Sequence, residues 1–468
     1  MRVPFALLSA VLVLESRDEL EIGITEIDEQ GLVFRMAEPP GPVLCMQLFF
    51  YHDRTGDYET VELFRPEIKE IPEGLKLFYR EYEIRAEHTM QYEAYREAVR
   101  TLEQSYYHYI MKKLDGDDAA LSEDYTGYPA AMDDTVMTDY KRQKKRWYKE
   151  SFPDGHRESD RQTAAGTVWA QLCDQKRKNI YELAVALDRP VLYERYLAEP
   201  ISAFYAWYWE ETGIPEHPIA RTGLNRLYIG NQFCPYLIPG QELLPAMLEK
   251  ASREHLAVTV VFSYMREEQI AQMETLFAQL AHWCRERKIQ LEIVANDWGM
   301  LSMLGRYPDC FLPVMGVLLN KRRKDPRMQY KIGIGDGRAL RENPLNSDFY
   351  REYLKETYGI VRFEQEACGY EIALPPGKNS IHLPYYQTNT SHYCPLYARC
   401  HEGSRGRQKE VKNCPKYCRE YVFSYPDHLH MVGCYNSLFA YDQSILSDIS
   451  RLPYYLSHGA DRIVLNFL

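Results

Sequence analysis

A short stretch of the chain, residues 393–421, holds a dense group of cysteines. Cys394, Cys400, Cys414 and Cys418 alternate there with polar and basic residues, so the stretch is not an apolar core segment. Thiolates this close together repel one another unless a cation or a disulfide absorbs their charge. Density and the C-x3-C ending favour a metal or iron–sulfur site over disulfides or packed free thiols.

Composition and charge limit the class of protein. A chain of 468 residues has room for two or three domains, and its net charge of −11 argues against electrostatic capture of nucleic acid by the whole molecule. The apolar run at residues 1–15 lacks a signal-peptide cleavage site, and no stretch approaches the roughly 18–20 apolar residues of a membrane span. Unevenly spread cysteines fit a reducing compartment, so we predict a cytoplasmic protein without membrane partners.

The N-terminal half carries no catalytic motif. Short apolar runs predict a small antiparallel β-barrel domain over residues 1–88. Glu26–Leu32 resembles PilZ-like barrels in shape at most, since the serine and the paired arginines of their ligand motifs are absent. The sequence pattern of residues 89–222 predicts a helical region with an acidic linker. Within it, the basic run Lys141–Lys149 reads as a solvated helix face rather than a nucleic-acid contact.

After residue 222 apolar runs alternate with amphipathic helices, which is typical of a parallel sheet or barrel. Eight such runs in residues 223–468 predict an α/β fold with an irregular (β/α)8 TIM-like barrel. The predicted strands are Leu224–Gly230, Ala257–Tyr264, Gln290–Asn296, Phe311–Gly316, Gly359–Phe363, Ser380–Tyr386, His428–Tyr435 and Asp461–Phe467.

The predicted barrel permits one more cysteine to join the cluster. Chemistry in such barrels lies at the C-terminal ends of the strands. Cys234 follows the first predicted strand, and the cysteine loop follows the sixth, so Cys234 can reach Cys400, Cys414 and Cys418 at one rim. We predict that the remaining cysteines are structural thiols: Cys45, Cys173, Cys284, Cys310, Cys368 and Cys434.

Further polar residues follow the predicted strands. Asp297 either caps the next helix or contacts a substrate. Lys321, Arg322 and Arg323 either hold a carboxylate or phosphate or form a solvated loop. Arg399 flanks the cysteine loop and completes the predicted substrate-binding set. No catalytic residue is assigned, because neither G-x-S-x-G nor H-E-x-x-H occurs.

Four parts of this half of the chain stand out as motifs: LYIGNQFC at Leu227–Cys234, LEIVANDWGMLSML at Leu291–Leu304, LYARC and CPKYC around Cys400, Cys414 and Cys418, and MVGCYNSLFAYD at Met431–Asp442. Over roughly residues 225–468, these stretches resemble the peptidase U32 family. They are most like the iron–sulfur members that act in oxygen-independent hydroxylation for ubiquinone biosynthesis. The resemblance implies a TIM-barrel-like fold and a [4Fe–4S] cluster.

The resemblance implies Cys234, Cys400, Cys414 and Cys418 as cluster ligands, and another family branch brings in Cys394 instead of Cys234. It also implies hydroxylation, or a related modification, of an RNA base or small aromatic substrate. The oxygen donor would be organic, such as prephenate, and a homologous subunit could be a partner. One alternative is a non-catalytic binding or scaffold protein with a structural zinc or cluster site. The peptidase activity in the family name has no hydrolytic motif to support it.

Overall fold

The computed structural model of this chain describes residues 1, 7–36, 39–52, 58–72, 80–115, 133–151, 181–322, 324, 326, 338–403, 409–425, 429–448 and 450–467. These residues form three β-sheets: a seven-stranded sheet, a closed eight-stranded barrel and a five-stranded sheet. The fold is therefore α/β, as the sequence predicts.

The N-terminal sheet is antiparallel and has the order β5-β4-β1-β2-β3-β7-β6. Helix α1 (Tyr92–Asp115) lies against it, and the Tyr95 hydroxyl donates to the carbonyls of Asp28 and Gly31 at 2.8 Å each. Within the described residues β5 and β6 are the two edge strands of this sheet, so the predicted small antiparallel β domain is present as an open, barrel-like sheet. The strands are β1 (Leu8–Leu14), β2 (Glu19–Ile27), β3 (Gly31–Met36), β4 (Val43–Tyr51), β5 (Tyr58–Phe64), β6 (Ile68–Glu70) and β7 (Arg80–Arg85).

The second sheet is a closed barrel in which every strand pairs in parallel with both neighbours, which confirms the TIM-like prediction. Most of its strands are short runs rich in buried Val, Ile, Leu and Ala, as a sheet covered on both faces requires, whereas β14 and β15 carry buried polar side chains. In barrel order they are β9 (Glu182–Leu187), β10 (Arg226–Gly230), β11 (Ala257–Val261), β12 (Leu291–Ala295), β13 (Phe311–Met315), β14 (Arg362–Glu366), β15 (Lys378–Leu383) and β20 (Ala460–Leu465).

Two of the predicted elements are corrected by this barrel. Its first strand, β9, lies in a region that the sequence predicts as helical, and its buried ELAVAL run pairs with β10 and β20. The predicted seventh strand, His428–Tyr435, is not in the barrel. The strand within this range, β18 (Met431–Cys434), pairs antiparallel with two strands of the third sheet, and β15 pairs directly with β20.

The third sheet is antiparallel and carries the cysteine loop between two of its strands. Its order is β16-β19-β18-β17-β8, with β16 (Tyr385–Thr390) before the loop and β17 (Tyr421–Ser424) after it. The other members are β19 (Ser437–Tyr441) and β8 (Asp133–Val136), which comes from the predicted acidic linker. The loop is therefore fixed at both ends by hydrogen-bonded strands.

The basic run lies on helix α2 (Met137–Ser151), directly after β8. Tyr140, Trp147 and Tyr148 are buried on one face, while Lys141 forms an ion pair with Glu211 at 2.7 Å. The remaining helices are α3 (Pro190–Ala198), α4 (Ile201–Thr212), α5 (Leu243–Arg253), α6 (Ile270–Arg287), α7 (Trp298–Leu304), α8 (Arg338–Arg341), α9 (Asp348–Tyr358), α10 (Pro395–Glu402), α11 (Ser444–Ser447) and α12 (Arg451–Ser457).

Within the described ranges, no helix is both long enough and apolar enough to cross a membrane.

An ion network fills the N-terminal end of the barrel. Arg462 is 1 % exposed; its guanidinium donates to Glu292 at 2.7 and 3.1 Å and to Glu182 at 2.6 Å. Arg226 joins the same two carboxylates. Burial opposes ionisation of Glu292, but the hydrogen bond and charge of Arg462, with the charges of Arg226 and Arg362, hold its pKa at about 2. The network therefore requires an ionised Glu292.

We predict that Glu292→Gln lowers the free energy of unfolding by roughly 3–5 kcal/mol, because it leaves buried guanidinium groups uncompensated. In the parent chain this contribution is complete above the ordinary carboxyl pKa of 4.5 and is lost as pH falls towards the folded value of about 2. Denaturant unfolding between pH 7 and 3 measures both effects. Glu274→Gln, which breaks the exposed pair with Arg306, is the control and changes little. Equal stability of the two variants would contradict the prediction.

Candidate functional site

Four cysteines line a single cavity at the C-terminal rim of the barrel: Cys234, Cys394, Cys414 and Cys418. The cavity comprises about 350 Å³ of space not filled by protein atoms, part of it open to solvent. Its other lining residues are apolar or aromatic: Tyr236, Leu237, Leu396, Tyr397, Val411, Tyr417 and Tyr435. Two distant segments of the chain therefore bring their sulfurs to one place.

Three of these cysteines are followed by proline, and no other cysteine of the chain is. Proline favours an extended residue before it and suits the first position of a helix. Cys234 (φ −120°, ψ 116°) and Cys394 (φ −98°, ψ 110°) are accordingly extended and directly precede helical turns. Backbone N–H groups then turn back to the sulfurs: Tyr397 donates to Cys394, and Lys416 to Cys414, each at 3.4 Å.

The residues before Cys234 hold its backbone in place. Gly230 has φ +124°, and a side chain there would lie 2.0 Å from the Val261 carbonyl oxygen, so only glycine fits. The Asn231 side-chain oxygen accepts from the N–H groups of Phe233 and Cys234, both at 2.8 Å. The turn after β10 is thus built to present Cys234 to the cavity.

Two polar side chains join the separate segments that carry the cysteines. Arg266 is half-buried and donates to the carbonyls of His392 and Val411, which precede Cys394 and Cys414; the bond to Val411 is 3.0 Å. The buried Asn436 amide donates to the carbonyls of Phe233 and Ser391, both at 2.8 Å. These bonds fix the first and the later cysteines relative to each other.

The thiols lie in surroundings that disfavour a free thiolate. Burial, with the neighbouring sulfurs, raises the pKa of Cys394 to about 12 and that of Cys418 to about 11; the pKa values of Cys234 and Cys414 are raised in the same direction by burial. The positive charge of Arg189 opposes the rise at Cys418. Such thiols bind a cation with release of protons, and a charge-compensated metal group is what would stabilise their ionised form.

The remaining cysteines are placed differently. Cys400 lies on α10 and is exposed, and it does not line the thiol cavity. Cys434 is buried on β18 and does not line it either. Cys45, Cys284, Cys310 and Cys368 are buried. Cys173 lies outside the described residues. The structure therefore brings Cys234, Cys414 and Cys418 together with Cys394 rather than with Cys400.

A second, larger cavity of about 1160 Å³ opens at the same rim and contains three of the predicted substrate residues: Asp297, Lys321 and Arg322. The Asp297 carboxylate is engaged as the cap of α7, accepting from the N–H groups of Gly299 at 2.6 Å and Met300 at 3.2 Å. Arg399 is exposed on α10 and lies outside this cavity, and Arg323 lies outside the described residues.

A third cavity, of about 430 Å³, lies on the barrel axis and was not predicted from the sequence. His382 lines it, and its Nε2 contacts the wholly buried carboxylate of Glu364 at 2.5 Å. Tyr435 lines both this axial cavity and the thiol cavity. Alternate residues of a barrel strand face inward, so the sequence could have identified Glu364 on β14 and His382 on β15 as inward-facing residues. That step requires knowing first that both segments are barrel strands.

Within the part of the chain that the structure describes, no three or more His, Cys, Asp or Glu side chains stand in an arrangement that could hold a metal ion. Comparisons with protein-family models, with curated proteins and with solved structures find no match to this chain.

We predict that Arg266→Met releases the cysteine loop, because two charge-assisted hydrogen bonds to its carbonyls are lost. Hydrogen exchange of the backbone amides at 391–403 and 409–420 should accelerate by about 10-fold or more, while exchange in the barrel strands stays unchanged. Arg306→Met removes an exposed arginine on the same barrel and serves as the control. Unaltered loop exchange in Arg266→Met would show that other contacts hold the loop.

Proposed function

We propose that this chain is an iron–sulfur protein of the U32-like kind, holding a [4Fe–4S] cluster through Cys234, Cys394, Cys414 and Cys418. The observation that carries the proposal is the convergence of these four residues, from two distant segments, on one cavity whose other described lining residues are aliphatic or tyrosine. The ligand set keeps Cys234 and replaces Cys400 by Cys394.

A cluster suits this cavity better than the alternative of a single structural zinc ion. Zinc binds four thiolates at about 2.3 Å and draws the sulfurs to one point. Here the cavity lined by the four cysteines is also lined by Leu237, Leu396 and Val411, which keep the cysteines apart around it. Backbone N–H groups at the sulfurs of Cys394 and Cys414 are the kind of contact that tunes the reduction potential of a cluster.

The proposed activity is oxygen-independent hydroxylation, or a related modification, of an RNA base or a small aromatic substrate, and its support is the resemblance of residues 225–468. When bound, the cluster would supply electron transfer or a site for an oxygen ligand. The chain itself contributes position: Asn231, Arg266 and Asn436 hold the ligand segments. The contact of its Nε2 with the Glu364 carboxylate fixes the orientation of the His382 ring in the axial cavity.

We predict that anaerobic purification gives a brown protein with about four iron and four sulfide per chain. Single serine replacements at Cys234, Cys394, Cys414 and Cys418 should each lower the iron content and the visible absorption severalfold. Iron and sulfide analysis with absorption and electron paramagnetic resonance spectra makes the measurement.

The matched control is Cys400→Ser, since Cys400 lies near Cys394 on the same segment but outside the cavity. This variant should keep full iron content. Iron loss in Cys400→Ser with retention in Cys394→Ser would overturn the ligand set. A colourless protein with one zinc per chain would replace the cluster by a structural ion and favour the scaffold alternative.

A further inference from the structure

Among the described residues, the large rim cavity has more cations than carboxylates in its lining. Its lining combines three cations with amide and hydroxyl side chains. Lys324 is neutralised inside the protein by an ion pair with the buried carboxylate of Glu366, and it also donates to the Gln387 side chain at 3.2 Å. Asp297 is occupied by the N–H groups of α7. Among the described lining residues, Lys321 and Arg322 are the cations that remain for a ligand.

Arg322 is held in one orientation with part of its guanidinium unused. Its Nη1 donates to the carbonyls of Leu340 at 3.0 Å and Arg341 at 2.5 Å. Its Nη2 is shielded from solvent and has no hydrogen-bond partner in the described part of the chain. A shielded, fixed N–H donor of this kind costs free energy unless an acceptor completes it, and carboxylate and phosphate oxygens are the acceptors that a guanidinium fits best.

Lys321 supplies the second charge on the same cavity. Its side chain is exposed and has no ion pair with a described residue. We propose that this cavity, defined by Lys321 and Arg322, binds the carboxylate or phosphate group of a small substrate. The described residues of the lining supply only these two unpaired cations, and the affinity for a nucleic-acid strand grows with the number of neutralised phosphates, so a small anion is the ligand that this cavity fits.

The position of the cavity connects this anion to the proposed cluster. Tyr264, Ser391 and His392 line the cavity, and His392 stacks edge-on against Tyr264 with ring centres 4.4 Å apart. The same segment continues to Cys394, two residues later. The Lys324–Glu366 pair lies where the rim cavity meets the axial cavity, because Lys324 lines the first and Glu366 the second. A substrate anchored here by its anion could extend over the barrel mouth towards the thiols.

The claim that the bound anion is part of the cluster's substrate rests on the proposed function. The claim that this cavity binds an anion does not. Isothermal titration of the full chain with inorganic phosphate and with benzoate tests it and separates the two anion classes. We expect one of the probes to bind in the millimolar range or tighter. Lys321→Gln and Arg322→Met should each weaken that binding about 10-fold, in line with the loss of one charge-assisted hydrogen bond.

Lys355→Gln is the control, since Lys355 is an exposed cation on α9 outside the cavity. Binding that is absent for both probes, or that Lys355→Gln weakens as much as Lys321→Gln, would overturn the proposal. So would a single-stranded RNA oligonucleotide that binds while both small probes do not. Because Arg322→Met removes backbone contacts, Lys321→Gln is the decisive variant if Arg322→Met unfolds.

The same titration with Cys394→Ser separates this inference from the proposed function. Retained phosphate or benzoate binding in a chain that has lost its iron supports the anion site on its own terms. If the parent chain contains no iron but binds the probe through Lys321, the iron–sulfur function fails and the anion site stands.

Discussion

Closure of the parallel barrel is the constraint on which the site depends. Strand β20 pairs with both β15 and β9, and this joins the two edges of the sheet. Because all eight strands run the same way, their C-terminal ends form one rim. The residues that follow β10, β13 and β15 all lie on this rim. Arg462, Glu292 and Arg226 occupy the opposite end with a charged network, so that end offers packing and ion pairs while the rim offers cavities.

The cysteine loop shows how an antiparallel sheet can serve a parallel barrel. The chain leaves the barrel after β15, forms β16, and returns only with β20, so the cysteines stand on a structure of their own above the rim. Asn436 ties this structure to the turn that carries Cys234. Barrel strand β10 therefore positions Cys234, and the third sheet positions the other cysteines of the cavity.

Much of the barrel could be predicted from the sequence, because buried runs such as AVTVV at β11 have the length and composition of covered parallel strands. Strand β9 could not, since its six residues stand beside two helices rich in aromatic residues and periodicity does not distinguish them. The run at β18 is equally apolar, and only its antiparallel partners separate it from a barrel strand. For the site, the sequence left Cys234 and Cys394 as alternative ligands and kept Cys400 in both sets, whereas the cavity contains Cys394 and not Cys400. The proline after Cys394 is the local signal that distinguishes the two, because it sets the backbone that turns N–H groups to the sulfur.

The strand that closes the barrel also sets an order of events during synthesis. Arg462 meets Glu182, 280 positions earlier, so the sheet cannot become a ring until the ribosome has released residue 465. At elongation rates of about 5–20 residues per second, the segment from β9 onwards waits many seconds with an unpaired edge. The rim that carries the thiol cavity is complete only after that interval, so this cavity takes its final shape late in folding.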